Sequence, residues 1–321
     1  ALFGKSLLQQ SHLAINEVAF ACGFSSVRRF NDYFCKNLKT TPSNIRKNSS
    51  NKNQTIELFL SYRPPYNWQH CHNFLQTRAI KSMEWLSGDS YGRTFTWPST
   101  RGKICSGWFT ARHQAHKHGF IVNIQLNDSK QLLPVVKNIR RLLDLDANSE
   151  LIDQHLATTL PLHSFVPGLR LPGTWNLFEA GCRAILGQQI SVVAALKLVA
   201  TLVHCYGTTE HSKSFFPTPE QVATADLLSL KIPNSRRDTL TRFAQFMSQH
   251  QQAQQPDIWL NLKGIGPWTV NYAKMRGLSD TNIWLGPDLV IKKTLAEHQI
   301  EFQPSDCAPW QSYLTLQLWN L

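Results

Sequence analysis

The chain has 321 residues, 42% of them hydrophobic and 17% charged, with a net charge of +12. That length suggests two or three domains, and the composition excludes a disordered polymer. No run of 18 or more apolar residues is present, so no membrane partner is expected; the excess of Lys+Arg (33) over Asp+Glu (21) favours a polyanion such as nucleic acid.

The seven cysteines are irregularly spaced and form no CxxC pair, which leaves no zinc ribbon or iron–sulfur site in the pattern. They are expected to be reduced core thiols of a cytoplasmic protein, with no metal bound by side chains. At Ala1 the pattern is already under way, which predicts a piece of a longer protein.

Three blocks are expected along the chain, at 1–50, 55–152 and 153–321, with the polar stretch Asn48–Gln54 as a linker between the first two. In the first block, Ile15–Ala21 predicts a short helix and Cys22-Gly23-Phe24 a turn. Ser25 or Ser26 caps a second helix running to about Lys36. That helix presents Arg28, Arg29 and Asn31 on a polar side and turns Phe30 and Phe34 inward, a form suited to the major groove. Seven Lys/Arg against two acids concentrate positive charge in residues 1–50. An ordinary helical hairpin with a solvated basic face fits the same pattern.

The second block opens with alternating Ile56, Leu58 and Leu60, stopped by Pro64-Pro65. A helix is expected over Asn73–Leu86, with Phe74, Ala79 and Met83 among its apolar positions. β-prone stretches follow at Arg93–Trp97, Lys103–Ala111 and Gly119–Leu126, so an α+β layer is predicted.

The third block has helical period almost throughout. Phe178, Cys182, Ile185 and Leu186 mark one helix, and Val193, Leu196, Ala200 and Val203 the next. Thr218 and Pro219 read as N-cap and first residue of another. Gln249–Gln255 reads as a surface loop or a frayed helix end. The fold class expected is therefore multidomain and mainly α, with an α+β domain ahead of the helical block and a partial helix-turn-helix in front.

Two glycines around one aliphatic residue, in Leu262-Lys263-Gly264-Ile265-Gly266-Pro267-Trp268-Thr269, predict a tight hairpin. Its N–H groups and the helix that follows would approach a DNA phosphate without reading sequence, with Gly264, Gly266 and Thr269 as the contacts. A bare GxG is more often a plain turn. Here, however, Asp288 follows Gly266 by 22 residues, inside Gly286-Pro287-Asp288. Taken alone, an Asp after Pro is commonly a helix N-cap.

Hairpin, spacing and Gly/Pro-Asp element together resemble the helix-hairpin-helix, Gly/Pro-Asp superfamily of base-excision glycosylases. Pro167-Gly168-Leu169-Arg170-Leu171-Pro172-Gly173 and Ala184-Ile185-Leu186-Gly187-Gln188 resemble its DNA-3-methyladenine glycosylase II family. Tyr62-Arg63-Pro64-Pro65-Tyr66-Asn67-Trp68 is similar to that family's N-terminal α+β domain. The resemblance implies a monofunctional DNA N-glycosylase acting on alkylated bases in double-stranded DNA, with Asp288 as its catalytic carboxylate. It implies a base pocket of Trp268, Tyr272, Trp319 and Phe74. An already cationic alkylated purine leaves without a protonating acid, so one carboxylate suffices.

Trp268 occupies the position at which bifunctional members carry a Schiff-base lysine, which disfavours lyase chemistry. Lys263 lies on the hairpin itself, and Lys292 and Lys293 follow Asp288. The family's leucine wedge is Gln189 here, long enough to enter the duplex, and the often aromatic position after the aspartate is Leu289. No cofactor is expected, although the superfamily allows a monovalent cation on hairpin carbonyls.

Ala19-x-x-x-Gly23-Phe24-x-Ser26-x-x-x-Phe30-x-x-x-Phe34-Cys35-Lys36, then Thr41-Pro42-Ser43-x-x-Arg46, resembles the second unit of AraC-type regulators. Arg28-Arg29-Phe30-Asn31 resembles the version in adaptive-response alkylation regulators. The alternative function is thus a transcriptional regulator with a damage-recognising, inactive glycosylase-like part. A bacterial, nucleoid-associated monomer is expected.

Overall fold

The computed structural model describes residues 2–11, 13–47, 55–98, 104–159 and 165–321. The linker at 48–54 and the start of the β-prone stretch at 103 lie outside them. Two compact units form, one from Ala1–Ser61 with Leu86–Arg140, the other from Tyr62–Trp85 with Arg141–Leu321.

The first unit begins with α1 (Leu2–Gln10), α2 (Ile15–Ala21), α3 (Val27–Leu38) and α4 (Pro42–Lys47). The Ser26 hydroxyl caps α3 by accepting from the Arg29 N–H at 3.3 Å. Phe30 and Phe34 are fully buried, their ring centroids 4.5 Å apart, beside buried Val18 and Ala19. Arg46 ties α4 to α1 by donating from Nε to the Leu8 carbonyl at 3.1 Å.

β1 (Ile56–Ser61), β2 (Glu84–Ser87), β3 (Ser90–Pro98), β4 (Ile104–Gln114) and β5 (Gly119–Leu126) make a sheet in the order β1-β5-β4-β3-β2. β1, β5, β4 and β3 pair antiparallel in sequence along it. The two-residue period of β1 is realised: Ile56, Leu58 and Leu60 are buried and lie opposite Ile124, Val122 and Phe120.

The helix expected over 73–86 is corrected. It is α5 (Trp68–Gln76), started earlier by the Asn67 side chain, which accepts from the His70 N–H at 3.0 Å. Ile80 and, in the turn after it, Met83 are buried, and Glu84 opens a strand. α6 (Leu132–Leu142) follows β5 in the chain.

The rest of the second unit is helical: α7 (Ser149–Thr159), α8 (Leu177–Gly187), α9 (Val192–Tyr206), α10 (Pro219–Thr224), α11 (Asn234–Gln249), α12 (Pro267–Ala273), α13 (Leu289–Glu297) and α14 (Gln311–Trp319). A two-stranded ribbon, β6 (Thr209–Glu210) and β7 (Lys213–Ser214), interrupts the purely helical order expected. Thr218 caps α10 in a capping box with Gln221, and Pro219 takes the first position. Past α11, residues 251–254 form a 3-10 turn whose Ala253 is buried.

Two apolar clusters organise this unit. One gathers Phe178, Ile185, Leu202, Phe243 and Trp259 from α8, α9, α11 and the 3-10 helix Pro256–Asn261. The other gathers Leu156, Leu171, Ile291, Leu314 and Leu316 from α7, the irregular stretch before α8, α13 and α14. Val193 departs from the helical pattern read for α9. It sits in the first turn, 65% exposed, while Val199, Leu202 and Val203 carry the buried face.

Candidate active site

A cavity of about 910 Å³ opens where the two clusters of the second unit meet. Leu196 and Val199 line it from one cluster; Trp268, Tyr272 and Trp319 line it from the other, with Asp288 in the wall. Such a volume lies in the range of small-ligand sites and accommodates a nucleobase.

Asp288 is the N-cap of α13, and that role is compatible with chemistry. Its Oδ1 accepts from the N–H groups of Val290 and Ile291 at 3.0 and 3.3 Å. The indole N–H of Trp319 donates to Oδ1 at 3.3 Å, and that of Trp268 to Oδ2 at 3.1 Å. Four donors from the ends of three helices, α12, α13 and α14, therefore hold the carboxylate in one orientation. Trp268 stacks on Tyr272, centroids 5.3 Å apart, because four residues of helix put both rings on one face.

The hairpin leads into α12. Gly264 has φ +95°, and an added Cβ would lie 2.0 Å from Thr239 Oγ1, so only glycine fits. Gly266 has φ −112°, and an added Cβ would meet nothing within 4 Å. Its glycine is required by nothing inside the chain.

Gln188 binds the α8–α9 loop to this hairpin, donating to the Gly264 carbonyl at 3.1 Å and to Thr269 Oγ1 at 3.0 Å. Thr269, expected as one of the hairpin's phosphate contacts, is buried with its hydroxyl engaged by Gln188, so a contact from it would have to come from the backbone. Next to Gln188, Gln189 is exposed at the cavity mouth with φ +59°, a conformation the tight loop imposes.

Thr239 and Arg242 donate to the Lys263 carbonyl at 3.3 and 2.6 Å, and Gln188 already occupies that of Gly264.

Phe74 is corrected too. It is not among the residues lining the cavity; it lies behind the wall, stacked on Trp319 at 6.4 Å with 19° between planes. The guanidinium carbons of Arg78 and Arg276 stand 3.8 and 4.7 Å from its ring centroid. Phe74 is thus a cation–π platform for two arginines that do line the cavity.

These arginines, with Arg183, were not singled out in the sequence. Arg183 is neutralised by Glu179 and Glu84 at 2.9 and 3.1 Å. Burial pushes the Arg78 guanidinium down to about 10, with nearby Arg276 adding to the shift. Burial lowers Arg276 as well, while Tyr272 opposes. The i, i+4 step from Phe74 to Arg78, and from Tyr272 to Arg276, was the signal available for them.

Among the described residues no lysine lines the cavity. Lys263, Lys292 and Lys293 are exposed, the last 3.5 Å from Glu297. Arg28, Arg29 and Asn31 belong to the first unit, exposed on α3.

The AlkA N-terminal domain family matches residues 57–176. DNA-3-methyladenine glycosylase 2 of Escherichia coli is 32% identical over 279 residues, covering 81% of this chain and 95% of the relative. The chain belongs to the DNA-3-methyladenine glycosylase II family. A probable bifunctional transcriptional activator/DNA repair enzyme AlkA of Mycobacterium tuberculosis is 29% identical over 349 residues, 98% of this chain and 68% of that one. Among solved structures, 3-methyladenine DNA-glycosylase from Archaeoglobus fulgidus superposes with a TM-score of 0.64 at 17% identity, covering 81% of this chain and 96% of that one. That likeness establishes the fold: mainly α, with an α+β region ahead of a helix-hairpin-helix glycosylase core.

Proposed function

We propose that this glycosylase-family chain hydrolyses the N-glycosidic bond of alkylated bases in double-stranded DNA, without a Schiff-base step. The observation carrying the reading is the Asp288 carboxylate, held by two indole N–H groups in the wall of a base-sized cavity. An alkylated purine that is already cationic departs without an acid. The one carboxylate stabilises the oxocarbenium-like sugar or directs water to it. Trp268 and Tyr272 offer the flipped base a stacked aromatic wall, which favours a cationic ring. Gly266, open at its Cα, and the free N–H groups of the first turn of α12 suit a DNA phosphate. Gln189, exposed at the cavity mouth, is read as the residue that fills the space a flipped base leaves.

An imine needs an amine at the cavity; Trp268 stands at the lysine position, and among the described residues no lysine lines the wall. The test is base release from methylated duplex DNA, followed by chromatography, with borohydride trapping alongside. Methylated purines are expected in solution and no trapped protein–DNA adduct. Release of no base would remove the enzymatic reading; a trapped adduct would remove the monofunctional one.

The exposed Arg28, Arg29 and Asn31 on α3 favour an additional reading. We propose in addition that the front helices are an AraC-type element that contacts DNA; the M. tuberculosis relative is named a probable transcriptional activator as well as a DNA repair enzyme.

A further inference from the structure

The loop from α8 to α9 holds one uncommitted amide at the cavity mouth. Gln188 is fixed from both sides: its side chain donates to the Gly264 carbonyl and to Thr269 Oγ1, and its own carbonyl accepts from Arg236 Nη2 at 3.0 Å. Ser191 caps α9 by accepting from the Ala194 N–H at 3.2 Å. Gln189, between these anchors, is exposed and lies in the left-handed region at φ +59°. Its amide makes no hydrogen bond among the described residues. A non-glycine residue keeps that backbone conformation only where its surroundings impose it, so the anchors hold Gln189 at the mouth.

The surface next to this amide is aliphatic. Ile190, Val192, Leu289 and Val290 line the same cavity and are 37%, 46%, 70% and 50% exposed. Exposed aliphatic groups gathered at a cavity mouth mark a surface that is covered in use, and in the proposed reaction the cover is the duplex. Under that cover Gln189 loses its water partners, and an amide left unpaired among apolar groups is costly.

With the cavity read as the base pocket, on which this rests, we propose that Gln189 reads the base opposite the lesion. Its side-chain amide hydrogen-bonds the Watson–Crick edge that the flipped base has vacated, so the rate of excision depends on what that edge offers. Once a purine has turned into the cavity, its partner pyrimidine keeps an unpaired edge inside the stack. That edge sets a donor beside an acceptor: N3–H beside O4 in thymine, the exocyclic amine beside N3 in cytosine. The Gln amide carries the same pair, an NH2 and a carbonyl oxygen, and by turning over it meets either pyrimidine. A hydrocarbon side chain of similar size fills the gap but leaves the edge unsatisfied. Gln189 therefore acts on the balance between stacked and flipped base, and bond cleavage stays with Asp288.

The test uses a strand carrying one 7-methylguanine, annealed to complements with thymine or its non-polar isostere difluorotoluene opposite the lesion. The two have the same shape, and only thymine hydrogen-bonds well. Single-turnover release rates are measured on both duplexes for wild type and Gln189→Leu. The isostere changes the lesion's own pairing equally for both proteins, so the four rates together isolate the contact between residue 189 and the opposite base.

The thymine-to-difluorotoluene rate ratio is expected to be about tenfold higher in wild type than in Gln189→Leu, the size of one or two neutral hydrogen bonds. Partial loss of folded Gln189→Leu lowers both of its rates together and leaves its ratio intact. Equal ratios in the two proteins, with wild type releasing the base, would overturn the reading of Gln189 and leave the glycosylase proposal standing. Release by wild type from neither duplex would remove the glycosylase proposal, and the role of Gln189 with it.

Discussion

At Asp288 one side chain caps a helix and faces the cavity, and substitution separates the two roles. Asn also caps helices, so Asp288→Asn keeps its bonds to Val290 and Ile291 but loses the negative charge. Base release is expected to fall by at least about a hundredfold. The melting temperature should drop only slightly, because one amide N–H now faces the Trp268 indole. Asp288→Ala should lose the same activity and, in addition, about 1 kcal/mol of cap energy. Rates of base release and thermal melting of the two variants together decide whether charge or cap is the active component.

Asp144 predicts a pH dependence of stability. Burial raises its carboxyl to about 6, against the pull of the Leu171 N–H and the nearby Arg170 and Tyr313. The folded state therefore holds this proton more tightly than the unfolded chain. Its stabilising share is complete below about pH 4 and is lost as pH rises through about 6. The Leu171 N–H and the Tyr313 hydroxyl both donate to Oδ2 at 2.9 Å, so the carbonyl of an Asn can accept both. Denaturant unfolding of Asp144→Asn at several pH values should show this decline removed and stability at pH 8 equal to or above wild type.

At the scale of the element, the two hairpin glycines should respond oppositely to alanine. Gly264→Ala forces a Cβ onto Thr239 at a positive φ and should destabilise the fold by roughly 1–3 kcal/mol. Gly266→Ala has room and an ordinary φ, so its melting temperature should match wild type while duplex affinity drops. Equal duplex affinity for Gly266→Ala and wild type would remove the hairpin from the DNA contact. Thermal melts and binding isotherms on both variants suffice.

Over the whole molecule, a charge of +12 predicts duplex binding that weakens steeply with salt. If α3 contacts phosphates, replacing Arg28 and Arg29 by Ala should lower the slope of log affinity against log salt by about 2. Titrations at several salt concentrations measure this; an unchanged slope would place the duplex elsewhere.

Much of this was written locally in the sequence. The two-residue period of Ile56–Leu60, the Thr218–Pro219 helix start, the Gly23 turn and the 22-residue interval from Gly266 to Asp288 all persist in the fold, because each rests on neighbours along the chain. Aromatic spacing likewise set Trp268 and Tyr272 on one face.

Only tertiary structure decided what surrounds them. Tyr62–Trp85 folds with residues far downstream, which no local pattern encodes. Phe74 withdrew behind the cavity wall because two arginines claimed its ring, and Thr269 turned inward because Gln188 claimed its hydroxyl. Hairpin and aspartate are read from short-range geometry; the charge and hydrogen-bonding character of the pocket come from side chains scattered between Phe74 and Trp319, brought together only by burial.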